Sequence, residues 1–462
     1  MSRTRALSAE RFVDAAQRSG HDGALARELL APYVPRDVSD EVDAVVRGVA
    51  VRDALDPSVN AGALAVCLAA ALRAATSADD VLRLEDAMQQ VLASPQLGVQ
   101  LRFFPALLAQ WAHALSERGR LVSHQYATFW LTRLLEQTCA GYRGVSGVHA
   151  PLLFEYLRCG AYASALALAR AVDSDATDFG AHVVRAVDLL EYQYYAGLAF
   201  AAAHEYDAAI DAWELCLAVP GDTPSWVQVD ALKKAILVRL LRHGRIPDVD
   251  RMLAHASASA RTQYTRECRD AYLAFARSYA ESLPQDRAAT DAIVEAVRPQ
   301  FAQDANEGLV DRCLALRERR WIRGLADVYT TLPLTALAIY VHGHAHAAAV
   351  DAVQAELSAM SDIFTAAPDD APAHVPLPGG RCAPRDADAR FVRFRVLLAV
   401  DEAALQHALV AALARERDAS ERLVKRHESV ATSHQLLAKV WSTHSGPPQD
   451  ADGTWEEEDG GG

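Results

Sequence analysis

Tyr194-Tyr-Ala-Gly-Leu-Ala-Phe-Ala-Ala-Ala-His-Glu-Tyr-Asp-Ala-Ala-Ile-Asp-Ala-Trp213 is the stretch that decides the fold. Its apolar residues follow a helical period on both sides of a break at His204-Glu-Tyr206. Gly197, Phe200, Ala209 and Trp213 fall where a tetratricopeptide-type hairpin wants a glycine, an aromatic, a small residue and an aromatic. Small residues let two antiparallel helices approach closely, and the aromatics fill the groove between repeats. One such hairpin could arise in any alanine-rich helical pair, so its recurrence is what matters.

Four segments along the chain share a turn, a large residue and a following helix. They are Arg118-Gly-Arg-Leu121, Cys159-Gly-Ala-Tyr162, His204-Glu-Tyr206 and His243-Gly-Arg-Ile246. The large residues Leu121, Tyr162, Tyr206 and Ile246, read as anchors, are 41, 44 and 40 residues apart. Ala165 and Ala209 stand three positions after two of them. A period near 40 with two helices per unit predicts a helical solenoid.

The composition fits. The chain has 462 residues, 51% of them hydrophobic and 23% charged, a globular balance rich in alanine and leucine. The net charge of −14 repels phosphate backbones and anionic lipids, so neither nucleic acid nor membrane is an expected partner. Cys67, Cys139, Cys159, Cys216, Cys268, Cys313 and Cys382 are odd in number and widely spaced, with no C-x-x-C pair. That pattern suits free thiols in a reducing compartment, cytoplasm or nucleus. The N-terminal Met-Ser-Arg-Thr-Arg lacks the apolar core of a signal peptide. The longest apolar run, Ala61 to Leu72, is too short for a bilayer and reads as a buried helix. Ser77-Ala-Asp-Asp80 reads as a capping box.

Beyond residue 304 the pattern changes. Helices are expected from Gly308, from about Leu332-Pro-Leu and over Ala347 to Met360, followed by strands at Ile363-Phe364-Thr365 and His374-Val375. Three helices and a two-stranded ribbon describe a winged helix. The fold class is therefore all-α: a TPR-like solenoid, a winged-helix subdomain and a long C-terminal helix. The expected divisions are 1–190 and 191–304 for the repeats, 305–378 for the winged helix, 379–388 for a linker, 389–440 for the C-terminal helix and 441–462 for an acidic disordered tail. On that last helix Leu409, Leu423, Val430 and Leu437 repeat every seven residues, interrupted at Glu416. Leu398, Leu405, Ala412 and Ala419 form an offset second row, and such a seam needs a covering helix.

A solenoid feeding a winged helix resembles the PCI family, the scaffold subunits of the COP9 signalosome, the proteasome lid and the translation initiation factor 3 complex. The likeness to the signalosome members rests on Tyr194-Tyr-Ala-Gly-Leu-Ala-Phe, Glu205-Tyr-Asp-Ala-Ala-Ile, Ala231-Leu-Lys-Lys-Ala-Ile-Leu-Val, Asn306-Glu-Gly-Leu-Val-Asp-Arg-Cys-Leu, Tyr329-Thr-Thr-Leu-Pro-Leu and Ile363-Phe364. It covers about residues 190–377 and returns near Glu421-Arg-Leu-Val-Lys-Arg-His-Glu. The proline-rich wing loop and alanine-rich third helix depart from the family. The resemblance implies a non-catalytic scaffold without cofactor in a hetero-oligomer that removes NEDD8 from cullins. It implies contacts with signalosome subunits 1 and 8 through the winged helix and the C-terminal helix. The interface residues it implies are Ile363, Phe364 and Val375 on the wing, and Leu398, Leu405, Leu409, Leu423, Val430 and Leu437 on the helix. The paralogous lid subunit and a stand-alone TPR-like peptide adaptor are the alternative readings.

Chemistry was sought against this background. Residues 305–378 hold five arginines, no lysine and nine acidic residues, the reverse of a phosphate-binding face. His342-Gly-His344-Ala-His346 could chelate a metal if extended. The signalosome's catalytic subunit resembles a metalloprotease with H-x-H-P, seven residues, then S-x-x-D. From His344 those positions hold Val353 and Glu356, and from His346 Ala355 and Ser358, so the spacing fails. Gly141, Gly144 and Gly147 form neither a P-loop nor a dinucleotide fingerprint, and no H-E-x-x-H or G-x-S-x-G occurs. No catalytic, cofactor or metal residue is assigned.

Overall fold

The computed structural model describes residues 8–34, 46, 49–102, 104–177, 184–219, 223–326, 328–329, 331–358 and 360, and strands at 364–366, 374–376, 382–384 and 391–394. The first helices are α1 (Ala9–Ser19), α2 (Gly23–Leu30), α3 (Val49–Asp53), α4 (Ala61–Ala74), α5 (Ala78–Leu82), α6 (Glu85–Leu92) and α7 (Leu97–Arg102). Next come α8 (Pro105–Gly119), α9 (His124–Thr138), α10 (His149–Arg158), α11 (Tyr162–Ala171), α12 (Ala186–Ala202), α13 (Tyr206–Ala218) and α14 (Trp226–His243). The series ends with α15 (Val249–Met252), α16 (Ala258–Cys268), α17 (Ala274–Glu281), α18 (Arg287–Gln303), α19 (Glu307–Ala326), α20 (Leu334–His342) and α21 (Ala347–Ser358). The chain is a helical solenoid, as the period near 40 predicts.

Local chemistry sets the helix ends. Ser77 and Asp80 form the capping box, and Ser123, Ser225 and Ser257 accept from the third amide of their helices. At three successive hairpin turns the residue past the helix is left-handed: Gly160 at φ 70°, His204 at 63° and Gly244 at 65°. These positions recur at the repeat period, and each reverses the chain so that the second helix packs back on the first.

Apolar packing runs through the repeats without a gap. One cluster extends from Phe12 to Leu152, the next from Val145 to Val219, and a third from Tyr194 to Cys313. The boundary expected at 190/191 falls inside α12, because the clusters on either side share that helix. The run Ala61 to Ala70, with Leu72, is buried in α4. Among the described residues no helix is long and apolar enough to cross a membrane. Gln100 stitches the N-terminal helices: its Oε1 accepts from Gly62 N at 2.6 Å, and its Nε2 donates to Gly20 O at 2.9 Å and Val59 O at 2.8 Å.

After α19 come β1 (Thr331–Pro333), α20, α21, β2 (Phe364–Ala366), β3 (His374–Pro376), β4 (Cys382–Pro384) and β5 (Phe391–Phe394). A three-stranded sheet has the order β1-β5-β2, antiparallel throughout, with Thr331 and Thr365 both opposite Arg393. The strand β3 pairs with β4 instead, Val375 opposite Ala383. The expected pairing of Ile363-Phe364-Thr365 with His374-Val375 is therefore not formed. The missed strand is Phe391-Val-Arg-Phe394, whose large and β-branched residues favour pleated backbone. It lies where the C-terminal helix was expected to begin, and β4 lies inside the expected linker 379–388. Residues 395–440 of the expected helix lie outside the described residues.

Gly197 faces the Trp213 indole so closely that an added Cβ would sit 2.4 Å from its Nε1. That nitrogen donates to Tyr194 O at 3.3 Å, so the ring is held in place. Gly197→Ala should cost about 1–3 kcal/mol in urea unfolding through overpacking; unchanged stability would mean the indole moves aside. His149 is fully buried, its Nδ1 accepting from Ser146 N at 2.9 Å, and burial pushes its pKa down to about 4. Below the ordinary value of 6.5 the unfolded chain takes up a proton the folded chain refuses. Stability should thus fall between pH 6.5 and 4, by up to about 3 kcal/mol, and His149→Asn should flatten that part of the unfolding profile.

Candidate assembly site

The first helices of successive hairpins, α8, α10, α12 and α14, lie side by side. His149 meets the Tyr192 ring and Phe154 meets Tyr195, which sets α10 and α12 in the same sense. A polar ladder crosses these helices at Ser116, Glu155, Tyr194, Lys234 and Tyr272, positions 39, 39, 40 and 38 residues apart. Glu155, fully buried, accepts from Ser116 Oγ at 2.6 Å and lies 2.9 Å from His124 Nδ1 and 3.3 Å from Arg120 Nε. Ser116–Glu155 ties α8 to α10 and Tyr194–Asp230 ties α12 to α14, while ring contacts join α10 to α12.

The ladder ends in a denser network. Tyr194 Oη donates to Asp230, and Lys234 Nζ donates to Asp230 at 2.8 Å and to Asn306 Oδ1 at 2.9 Å. Asn306 Nδ2 donates to Tyr272 Oη at 2.9 Å, and Tyr272 donates to Asp304 at 2.7 Å. Lys233 Nζ closes the circuit on Asp304 at 2.8 Å. Asp304 and Asn306 flank Ala305, a non-glycine residue at φ 54° that separates α18 from α19. Tyr272 sits in a π-helical turn, Arg269–Leu273, which aims its hydroxyl at this bend. Burial, and next the neighbouring carboxylate, raise the pKa of Tyr194. Burial first, with Asp304 also raising it, does the same for Tyr272, so both phenols remain donors. The network welds the last repeats to the helix that opens the terminal subdomain. Beside it lies an open groove of about 590 Å³ bounded by Trp226, Lys233, Glu267 and Asp304.

The sequence-predicted site residues fare unevenly. Phe364 lies on β2, an edge of the three-stranded sheet, whereas Val375 lies on the separate β3–β4 ribbon. Ile363, Leu398, Leu405, Leu409, Leu423, Val430 and Leu437 lie outside the described residues. The supposed anchors Leu121, Tyr162 and Ile246 are 42%, 54% and 42% exposed, because each follows the turn and projects past the helix end. The His342–His346 segment is a turn closed by left-handed Gly343, its rings 6.4 and 4.9 Å apart. Among the described residues no three His, Cys, Asp or Glu side chains converge as a metal site. The reading missed the network itself, although Lys233, Lys234 and Asn306 stand in the motifs it quoted; adjacent lysines inside an apolar run were the available signal.

Residues 41–257 match the family described as COP9 signalosome complex subunit 3, N-terminal helical repeats. The repeats are similar to the N-terminal helical repeats of that family. The match overlaps the 190–377 span of the resemblance over residues 190–257 and extends upstream of it. The COP9 signalosome complex subunit 3 of Dictyostelium discoideum is 27% identical over 154 residues, 33% of this chain and 34% of that protein. Its Drosophila melanogaster counterpart is 24% identical over 149 residues, 32% of each. The matching stretch spans about a third of the length of these relatives.

Lys234→Met would leave half-buried Asp230 and buried Asn306 without their cation. The variant should lose about 3–5 kcal/mol, with amide exchange rising first around residues 304–306. A loss below about 1 kcal/mol, in the range of an exposed pair, would show that the network does not hold the junction.

Proposed function

We propose that this chain is a non-catalytic scaffold subunit of the COP9 signalosome. The observation that carries the reading is the match of residues 41–257 to the subunit 3 repeats, in a solenoid that runs without interruption into α19. In this reading the chain contributes architecture to a hetero-oligomer that removes NEDD8 from cullin–RING ligases in cytoplasm and nucleus. Another subunit supplies the metal chemistry.

The terminal elements serve as the docking platform. Helix, strand, two helices and two paired strands follow the winged-helix order, which completes a PCI domain. The strand β2 pairs only with β5 among the described residues, so its outer side leaves backbone donors and acceptors for a neighbour. Subunits 1 and 8 are the proposed neighbours. The apolar rows at Leu398, Leu405, Leu409, Leu423, Val430 and Leu437 are proposed as the second element, covered by partner helices.

Affinity purification of the full chain followed by mass spectrometry should recover signalosome subunits; recovery of proteasome-lid subunits in their place would overturn the assignment. Proline placed in turn at 364, 365 and 366 removes one strand amide each time, by turns one that faces the open edge and one that faces β5. At least one of these variants should lose signalosome subunits while the solenoid stays folded, and full incorporation of all three would rule out edge pairing.

A further inference from the structure

The solenoid has one edge along which arginines and exposed apolar residues recur at the repeat period. Short turns return each hairpin, so the C-terminal ends of α8, α10, α12 and α14 lie along the same edge. Direct contacts link neighbouring ends. Arg120 and Arg158 both lie over the Phe154 ring, at 5.5 and 5.6 Å, and Arg242 at the end of α14 pairs with Asp207 at the start of α13 at 3.0 Å. The exposed Leu121, Tyr162 and Ile246 stand on this edge, with Tyr206 half-buried between them.

Basic groups interleave with these apolar ones. Arg118, Arg120, Arg158, Arg242 and Arg245 lie at these four turns, as do Glu117, Glu205, Asp207 and Asp248, of which Glu205 pairs with Arg170 and Asp207 with Arg242. Arg120 and Arg242 have carboxylate partners. Arg118, Arg158 and Arg245 have none among the described residues. Basic side chains at helix C-termini are favourable in themselves, which accounts for the arginines but not for the large apolar residues beside them. A row of unpaired cations and exposed apolar side chains in a chain of net charge −14 is a surface for an acidic segment that also carries an aromatic.

The sequence contains one such segment. Asp450 to Asp459 reads D-A-D-G-T-W-E-E-E-D, six acids around Trp455. Extended, ten residues reach about 33 Å, and four neighbouring helix ends at 8–10 Å intervals span roughly 24–30 Å. The 56 positions from Phe394 to Asp450 cover about 80 Å even if helical throughout, so reach is no obstacle. We propose that the 450–459 segment docks in cis along this edge, its carboxylates on Arg118, Arg158 and Arg245 and Trp455, near its middle, against Tyr162. The proposal rests on charge and spacing and does not depend on the assignment to the signalosome.

The test is amide exchange in the full chain. One variant neutralises the six acids (Asp450→Asn, Asp452→Asn, Glu456→Gln, Glu457→Gln, Glu458→Gln, Asp459→Asn); another carries Arg118→Glu, Arg158→Glu and Arg245→Glu. In each, exchange at 119–123, 159–162, 203–206 and 244–248 should accelerate several-fold while α4 and α14 stay unchanged. Raised salt should do the same to the parent chain. Reversing both charge sets together should restore protection, which a variant that merely loosens the repeats could not do. Unchanged exchange at the turns on neutralising the acids would overturn the proposal. So would protection that depends on protein concentration, which marks a second copy, or protection present only when other subunits are added, which marks a partner's acidic segment.

Discussion

Everything downstream of the repeats depends on a bend at 304–306 held by two buried lysines. Ala305 takes a left-handed backbone that alanine adopts only at a cost of about 1 kcal/mol or more, so the bend persists because its flanks are fixed. Asp304 receives Lys233 and Tyr272, and Asn306 receives Lys234 while donating to Tyr272. Two ammonium groups in an apolar interior would be intolerable alone. Here each donates to a carboxylate, one of them also to the Asn306 amide, and the paired cost becomes geometric selectivity. Only one path of the chain between α18 and α19 satisfies all the donors.

That network is the last rung of a repeating device. Apolar packing between alanine-rich helices is permissive about sliding, since small residues offer few distinctive knobs. A buried hydrogen bond is not permissive, because a shift of an ångström or two leaves donors unpaired. Polar contacts at Ser116–Glu155, Tyr194–Asp230 and Lys234–Asn306 therefore fix the register of the helices they join, while left-handed turns at Gly160, His204 and Gly244 fix the reversal within each hairpin. The two periodicities are one: a hairpin of nearly constant length brings the same helix position back to its neighbour.

What the sequence made legible follows from this division. The hairpins were readable because Gly197, Ala209 and Trp213 carry a local steric requirement visible in one stretch. The period was readable because turns need particular residues. The burial of Leu121, Tyr162 and Ile246 was misjudged, because a large residue after a turn looks alike whether it faces the core or solvent. The Lys233–Asp304 and Lys234–Asn306 contacts join residues 71 and 72 positions apart, and no local pattern encodes such a separation. The strand Phe391–Phe394 was hidden by the helical stretch it adjoins, since four residues are too few to show a period of two.

The terminal subdomain shows what the bend holds. Its sheet has strands of three or four residues and its core reaches only from Trp321 to Met360, a small body for independent stability. It is stabilised by sharing α19, which places Val310 and Cys313 in the solenoid core and Trp321, Ile322 and Leu325 in its own. Arg320 donates to the Ala280 and Ser282 carbonyls at 2.7 and 2.9 Å, and Trp321 Nε1 donates to Ser282 O at 2.8 Å, pinning the middle of that helix to the end of α17. A load applied at the β2 edge thus passes along one continuous helix of 20 residues, about 30 Å, into the lysine network. The direction in which α19 leaves the solenoid is set at Ala305, a surface residue whose neighbours Asp304 and Asn306 are held by the lysine network.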